Sequence, residues 1–427
     1  MKKLFLLCLL TLVTSFAASA YEWTDANGTV WSFIVDGNNA ILEEDEETAC
    51  VDGTIPEDLI IPAFVYRGEL SYTVTSIGKY AFYCCYALTS VTIPSSVTSI
   101  DGYAFYGCSA LASVTIPNTV TYIDERAFAG CSALTSVNIP SSVMGIGPCA
   151  FLDCSSLTSV TIPSSVTAIG NEAFMGCSSL TNIYVDSGNG RYDSRGNCNA
   201  IIETATNTLL FGCKNTTIPS SVTIIGNYAF WYCSGLTSVT IPSSVIYIGH
   251  FAFDGCSDLT SVTIPSSVRG IDIGAFQGCS GLTSVTVDLE TPLVISPNTF
   301  NNCYNATLYV PVGSKAAYQA ADYWKEFREI EEIPYIAFSD AKVKALCVAN
   351  WDSNQDGEID MLEAAAVTDL DEVFSGNRTI TSFDELQYFT GLTSIDERAF
   401  SGCSGLTSVT IPSTVTSIGE SAFFLCI

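Results

Sequence analysis

Through most of its length the chain repeats one pattern of apolar and polar positions. In LTSVTIP (406–412), Leu406, Val409 and Ile411 fall on one face and Ser408 and Thr410 on the other, as in a half-buried strand. Pro412 ends the run, because proline cannot donate to a β ladder. After two polar residues a second short alternating run, VTSIG (415–419), stops at glycine and leads into a tight turn with a buried Ala-Phe pair. One whole unit reads L-T-S-V-T-I-P-S-S-V-T-S-I-G-x-x-A-F-x-G-C-S-x.

The Ala-Phe pair falls at 81–82, 104–105, 127–128, 150–151 and 173–174, then at 229–230, 252–253 and 275–276, and again at 399–400 and 422–423, with a period of 23. From Phe174 to Phe230 the interval is 56 rather than 23, an excess of 33, so an insert enters there. Thr299-Phe300 closes the first array one residue late. A fixed period of this size predicts an α/β solenoid, in which a unit cannot bury its apolar face alone and leans on its neighbours.

Each unit also returns a cysteine: Cys85, Cys108, Cys131, Cys154 and Cys177, then Cys233, Cys256, Cys279 and Cys303, then Cys403 and Cys426. Copies on adjacent coils stack about 4.8 Å apart, beyond the roughly 3.5–4.5 Å between Cβ atoms that a disulfide takes. The pattern therefore predicts free, stacked thiols acting as small hydrophobes with a weak S–H donor. Disulfides are the alternative that export favours. Cys50, Cys84, Cys149, Cys198, Cys213 and Cys347 lie off this ladder, with Cys198 and Cys213 a candidate pair.

The unit GCSxLTSVTIPSSVTSIGxxAF resembles the BspA-type leucine-rich repeats of bacterial surface proteins, over most of residues 76–310 and 380–427. The resemblance implies a curved right-handed solenoid on an exported protein, with adhesion to host proteins or to other bacteria as the expected role.

Other segments break the repeat. Residues 21–75 carry two alternating runs around Asp36-Gly37-Asn38, a hairpin signal, and are expected to cap the first coil with β structure. The insert, 185–217, reads as a polar loop and a short apolar pair of strands bulging from one face of the first array, 76–310. In 311–332 the spacing turns helical, with Ser314 as cap and Ala317, Ala320, Ala321, Trp324 and Phe327 on one face, closing the array. A second array spans 380–427 and stops at SAFFLCI without a cap, as in a truncated reading frame.

Between the arrays, 333–379 holds the sharpest chemical motif, DSNQDGEIDMLE (352–363). Asp352, Asn354 and Asp356 stand at loop positions 1, 3 and 5, Gly357 at 6, Glu358 at 7 through its carbonyl, Asp360 at 9 and Glu363 at 12. A hard cation such as Ca2+ takes six to eight oxygens, and this spacing supplies them from one turn between two helices. One calcium ion is the expected cofactor. The loop resembles an EF-hand or half of a dockerin, and the lack of a second copy departs from the dockerin pattern.

Composition narrows the function. The first twenty residues have two lysines, an apolar run from Leu4 to Val13 and small residues at Ala18 and Ala20, which is the form of a secretory signal cut after Ala20. No later stretch is long and apolar enough to span a bilayer. With 44 acidic and 16 basic residues the net charge is −28, and phosphate backbones repel such a chain. Its densest acidic block is EEDEE at 43–47. The only histidine, His250, sits at a variable position of the repeat, and there is no P-loop, zinc-type CxxC pair or HExxH.

Outward strand positions are almost all serine or threonine, and aromatic residues gather beside Ala-Phe: Tyr80, Tyr83, Tyr103, Tyr106, Tyr228, Trp231 and Tyr232. Such rings either face a protein or glycan ligand or pack between coils. The expectation is an exported, non-enzymatic binding protein, extracellular or on the cell surface with the periplasm as the alternative, taking protein or glycan ligands. A scaffold that docks through the calcium loop is the first alternative. A polysaccharide-degrading enzyme is the remotest, since a carboxylate pair leaves no signature in sequence.

Overall fold

The computed structural model describes residues 20–42 and 56–426. The segment expected to be an export signal, up to residue 19, the acidic block at 43–47 and Cys50 lie outside the described residues. The chain forms two compact units: 1–260 with 267–282 and 295–303, and 261–266 with 283–294 and 304–427.

In the first unit the repeats from Asp58 to Val185 each make one solenoid coil with three columns. The first column is a parallel ladder of the Ser-Val-Thr strands, Asp58–Ile60, Ser90–Thr92, Ser113–Thr115, Ser136–Asn138, Ser159–Ile162 and Asn182–Val185, in register letter for letter. The second runs from Leu70–Ile77 through Ser99–Ile100, Tyr122–Ile123 and Gly145–Ile146 to Ala168–Ile169. The third is the Ala-Phe turn. Its phenyl rings stack face to face from Phe82 to Phe174 at 5.0, 5.2, 5.4 and 5.5 Å. Period 23 thus brings each apolar letter onto its own copy, and Leu111, Val120, Ile123, Phe128 and Leu134 are fully buried. At the N-terminus Val30–Asp36 and Asn39–Leu42 form the hairpin expected at Asp36-Gly37-Asn38, and Asn39–Leu42 pairs with Leu70–Ile77.

The insert does not bulge from the array. Tyr192, Cys198, Ile201 and Cys213 are buried, and the hairpin Ala200–Glu203 with Thr208–Gly212 is stacked into the solenoid. Its side chains cover the edge left open at Ala168–Ile169: the Ile169 amide donates to the Tyr192 hydroxyl at 3.1 Å, Arg191 donates to the Thr167 carbonyl at 3.0 Å, and Asn189 Nδ2 donates to the Pro163 and Val166 carbonyls at 2.9 Å. An open β edge demands such cover.

In the second unit the strands Ser261–Ile264, Ser284–Val287, Thr307–Val310 and Glu329–Glu332 form a parallel sheet. The helix expected after it is short, Lys315–Ala320, and Ser314 makes no side-chain cap. Tyr323 at φ 66° breaks it, and the buried residues are Tyr318, Trp324 and Phe327 rather than the alanines. Tyr318 and Trp324 are drawn in by hydrogen bonds, each 2.8 Å, to the Leu289 and Leu293 carbonyls. The helices Ala341–Trp351 and Met361–Ala366 flank the acidic loop and share one core with the second array. Phe374 opens the phenyl column of that array, 5.3 Å from Phe400.

Most ladder thiols are free, with two corrections to the cysteine pattern. Cys85 is disulfide-bonded, so the ladder is not purely thiol, and Cys198 and Cys213 are both free. Cys213 instead points its thiol at the Asn199 carbonyl, at 3.4 Å.

Candidate binding surface and metal loop

The residue before Ala-Phe has a left-handed backbone in coil after coil: Tyr80, Tyr103, Arg126, Cys149 and Glu172 have φ of 61°, 60°, 52°, 54° and 60°. That conformation costs about 1–2 kcal/mol for each non-glycine residue. It persists because it aims alternate amides at the next coil, as Tyr103, Phe105 and Gly107 donate to Glu125, Ala127 and Ala129 at 2.9, 2.7 and 2.7 Å.

The same geometry turns these side chains outward along the turn edge. Tyr80 lies 5.5 Å from Tyr83 and 5.1 Å from Tyr103, Tyr83 stacks on Tyr106 at 5.0 Å, and Tyr103 lies 5.7 Å from Tyr106. Tyr80 and Tyr86 are 41% and 64% exposed, and the other three rings are half-buried. Lys79 sits 5.0 Å above the Tyr80 ring, and Arg126 donates to the Tyr103 hydroxyl at 2.6 Å. The rings therefore do both things that the sequence left open: they pack coil on coil and still present a continuous aromatic surface with two cations. Tyr86 was not singled out by its spacing, because it follows the adjacent cysteines rather than the Ala-Phe pair. Further along, Tyr228 stacks on Phe251 at 5.6 Å, Tyr232 is 52% exposed, and the Trp231 indole donates to Asp254 at 3.0 Å.

Beside this edge the hydroxyl lattice is exposed as expected: Ser136, Asn138, Ser159 and Thr161 face solvent while Val137 and Val160 are buried. His250 Nε2 pairs with Asp272 at 2.8 Å, and Asp272 also accepts the Tyr247 hydroxyl at 2.6 Å.

The acidic loop is built by its own side chains. Asp352 accepts the Asp356 and Gly357 amides at 3.2 and 2.9 Å, Asn354 accepts Asp356 at 2.9 Å, and Asp356 accepts Glu358 at 2.8 Å. Gly357 has φ 85°, the sharp bend that its position requires. Asp360 caps the helix Met361–Ala366, and Glu363 returns a bond to the Asp360 amide at 3.1 Å. The Glu358 side chain pairs with Lys344, which leaves its carbonyl for position 7. The other Glu363 oxygen accepts the Ser353 amide and hydroxyl at 2.8 and 3.0 Å and the Asn354 amide at 3.3 Å. The loop turns and donor order fit calcium. The carboxylates rest on amides, however, and among the described residues no group of three or more His, Cys, Asp or Glu is gathered as a ligand cluster.

Parallel ladders, inward Leu, Val, Ile and Phe columns and a variable outer edge define a leucine-rich repeat solenoid. The chain belongs to the BspA-type leucine-rich repeat family, whose repeat region matches residues 75–198, 207–320 and 371–427. A leucine-rich repeat protein from Eubacterium ventriosum is similar in fold, with 19% identity, a TM-score of 0.54 and coverage of 96% of this chain and 93% of that one. One from Bacteroides ovatus has 26% identity over 96% of this chain and 91% of that one, with a TM-score of 0.45. A leucine-rich cell surface protein from Faecalibacterium prausnitzii has 26% identity over 71% and 98%, with a TM-score of 0.42. No curated protein matches the sequence. Among the described residues no helix is long and apolar enough to cross a membrane.

Proposed function

We propose that this is an exported, non-enzymatic binding protein of the adhesin kind, which takes extracellular proteins or glycans on the turn edge of its first array. The observation that carries the reading is the aromatic surface of Tyr80, Tyr83, Tyr86, Tyr103 and Tyr106 with Lys79 and Arg126. Rings held by their neighbours lose little side-chain entropy on binding, and tyrosine offers apolar area with a polar rim. An array of glycans and matrix proteins tests it. Tyr80→Ala with Tyr86→Ala should lower binding at least about tenfold while the chain stays folded by circular dichroism, and undiminished binding to every ligand sinks the reading.

Calcium belongs to the same proposal, as a structural ion held by Asp352, Asn354, Asp356, the Glu358 carbonyl, Asp360 and Glu363. Its chemistry is charge neutralisation and cross-linking of the two helices; for Glu363 to bind it, its oxygen must leave the Ser353 and Asn354 amides. Calcium titration of the full chain should raise the melting temperature, and Asp352→Ala with Glu363→Ala should abolish that rise. Loss of ligand binding in the same double variant would instead favour docking through the loop.

A further inference from the structure

The residues before the Ala-Phe pairs form a column along the turn edge: Tyr80, Tyr103, Arg126, Cys149 and Glu172, then Tyr228 and Phe251 after the insert. One coil contributes nothing to it. The strand Thr208–Gly212 supplies the coil between Glu172 and Tyr228, but runs straight on to Cys213 with no Ala-Phe turn. Where its residue would stand is a cleft of about 330 Å³, whose lining includes Glu172, Tyr228, Leu210, Ile224 and Thr208. That is the low end of the roughly 300–1,000 Å³ of ligand pockets, room for one side chain rather than a length of chain.

The two ends of the cleft differ in chemistry. Tyr228 stacks on Phe251 at 5.6 Å with 11° between the rings, so one face is covered and the other lies toward the coil without a turn. At the other end the Glu172 carboxylate takes the weak Cys149 S–H at 3.5 Å, and among the described residues no lysine, arginine or histidine pairs with it. Burial first, then the charges of Glu172 and Asp254, push the Tyr228 phenol up, so the carboxylate is within electrostatic reach of the ring. Leu210 and Ile224, both half-buried, give the cleft an apolar wall.

The column itself shows what suits such a place. Two coils before Glu172, Arg126 follows Tyr103, holds its guanidinium 5.6 Å from the centre of that ring, and donates to the Tyr103 hydroxyl at 2.6 Å and to Glu125 at 3.0 Å. Ring, carboxylate and planar cation are satisfied together.

We propose that the cleft between Glu172 and Tyr228 receives one arginine side chain of a protein partner, its guanidinium on the uncovered face of Tyr228 and bonded to Glu172, its stem along Leu210 and Ile224. Arginine fits better than lysine, because its charge is planar, weakly hydrated and able to give a carboxylate two parallel bonds. A neutral glycan would leave Glu172 without a counter-charge. The inference deepens the protein-binding reading but stands on different coils from the Tyr80 surface, so either can fail alone.

The test uses the full chain at 0.15 M salt, where diffuse attraction to its net charge of −28 is screened beyond about 8 Å. Ligand-observed NMR should show saturable binding of the capped tripeptide acetyl-Gly-Arg-Gly-amide, at least about tenfold tighter than of its citrulline counterpart, which keeps the shape and loses the charge. Glu172→Gln should weaken the peptide at least about tenfold. Thr208→Trp, which fills the cleft and leaves every charge in place, should do the same, while Tyr80→Ala with Tyr86→Ala should bind it normally. No saturable binding, equal binding of the citrulline peptide, full binding by either cleft variant folded by circular dichroism, or loss in the Tyr80 and Tyr86 variant would overturn the proposal. Free L-arginine bound where the capped peptide is excluded would overturn it too, by making the cleft an amino-acid site.

Discussion

Cys131 donates its thiol to the Phe105 carbonyl one coil earlier, at 3.2 Å. The same bond joins Cys108 to Phe82, Cys154 to Phe128 and Cys256 to Phe230. That carbonyl already accepts the Cys108 amide at 3.3 Å, so the thiol fills its second lone pair while packing as a small apolar group. Cys131→Ala should therefore cost about 1–2 kcal/mol, a weak hydrogen bond plus a small cavity. Urea unfolding measures it, and no loss would reduce the cysteine to filler.

Burial pushes the Cys108 and Cys177 thiols up to about 12. At pH 8 such a thiol is ionised about once in ten thousand, so the native ladder should resist alkylation that labels it at once in urea. The unfolded chain ionises near 9 and the native chain does not, so the stabilisation is complete below pH 9 and lost as pH rises toward 12. A melting temperature flat between pH 8 and 11 would contradict this.

Two glycines in one coil should respond differently to alanine. A Cβ on Gly147 would lie 2.6 Å from the backbone of Asp124 and Glu125, which the ladder holds fixed, and Cβ atoms on Gly170 and Gly249 would lie 2.3 and 2.8 Å from the backbone of their preceding coils. A Cβ on Gly145 would meet only the Tyr122 ring, which is 41% exposed and free to swing outward. Gly147→Ala should cost about 3 kcal/mol and Gly145→Ala about 1 kcal/mol. Equal costs in urea unfolding would mean that the coils slide past one another freely.

Asp340 ties the helix Ala341–Trp351 to the second array, accepting the Lys342 amide at 2.8 Å on one oxygen and the Thr381 amide and hydroxyl at 2.7 and 2.9 Å on the other. Burial pushes its carboxyl up, but these bonds prevail and hold it below 3.8. Its contribution is thus complete above about pH 4 and fades as pH falls through the lowered value. Asp340→Ala should remove about 2 kcal/mol at pH 7 and flatten the acid limb of the stability curve, and an unaltered acid limb would refute the assignment.

What the sequence discloses here is whatever burial repeats. Val91, Val114 and Val137 show their inward face by alternation, and Phe82, Phe105 and Phe128 by spacing, because each must meet its copy. Where one side chain replaces a backbone partner, no periodicity records it: Tyr192 sealing Ile169 and Trp324 reaching Leu293 are single events. Phe374 was legible in principle, since Val373-Phe374-Ser375-Gly376 is the A-F-x-G turn with valine for alanine. The turns of the acidic loop 352–363 were legible from residue type and order, whereas the partners of Glu363 depend on geometry.

The handedness of the backbone before each Ala-Phe pair also sets an alphabet. The occupants are Tyr80, Tyr103, Arg126, Cys149, Glu172, Tyr228, Phe251, Gly274, Arg398 and Ser421, all at positive φ, and valine, isoleucine and threonine are missing among them. Branching at Cβ is what that torsion tolerates least. Sequence drift along the outer rim is thereby filtered against β-branched residues, which leaves Tyr80, Tyr103, Arg126, Tyr228, Phe251 and Arg398 free to carry rings and guanidinium groups on a torsion the scaffold itself dictates.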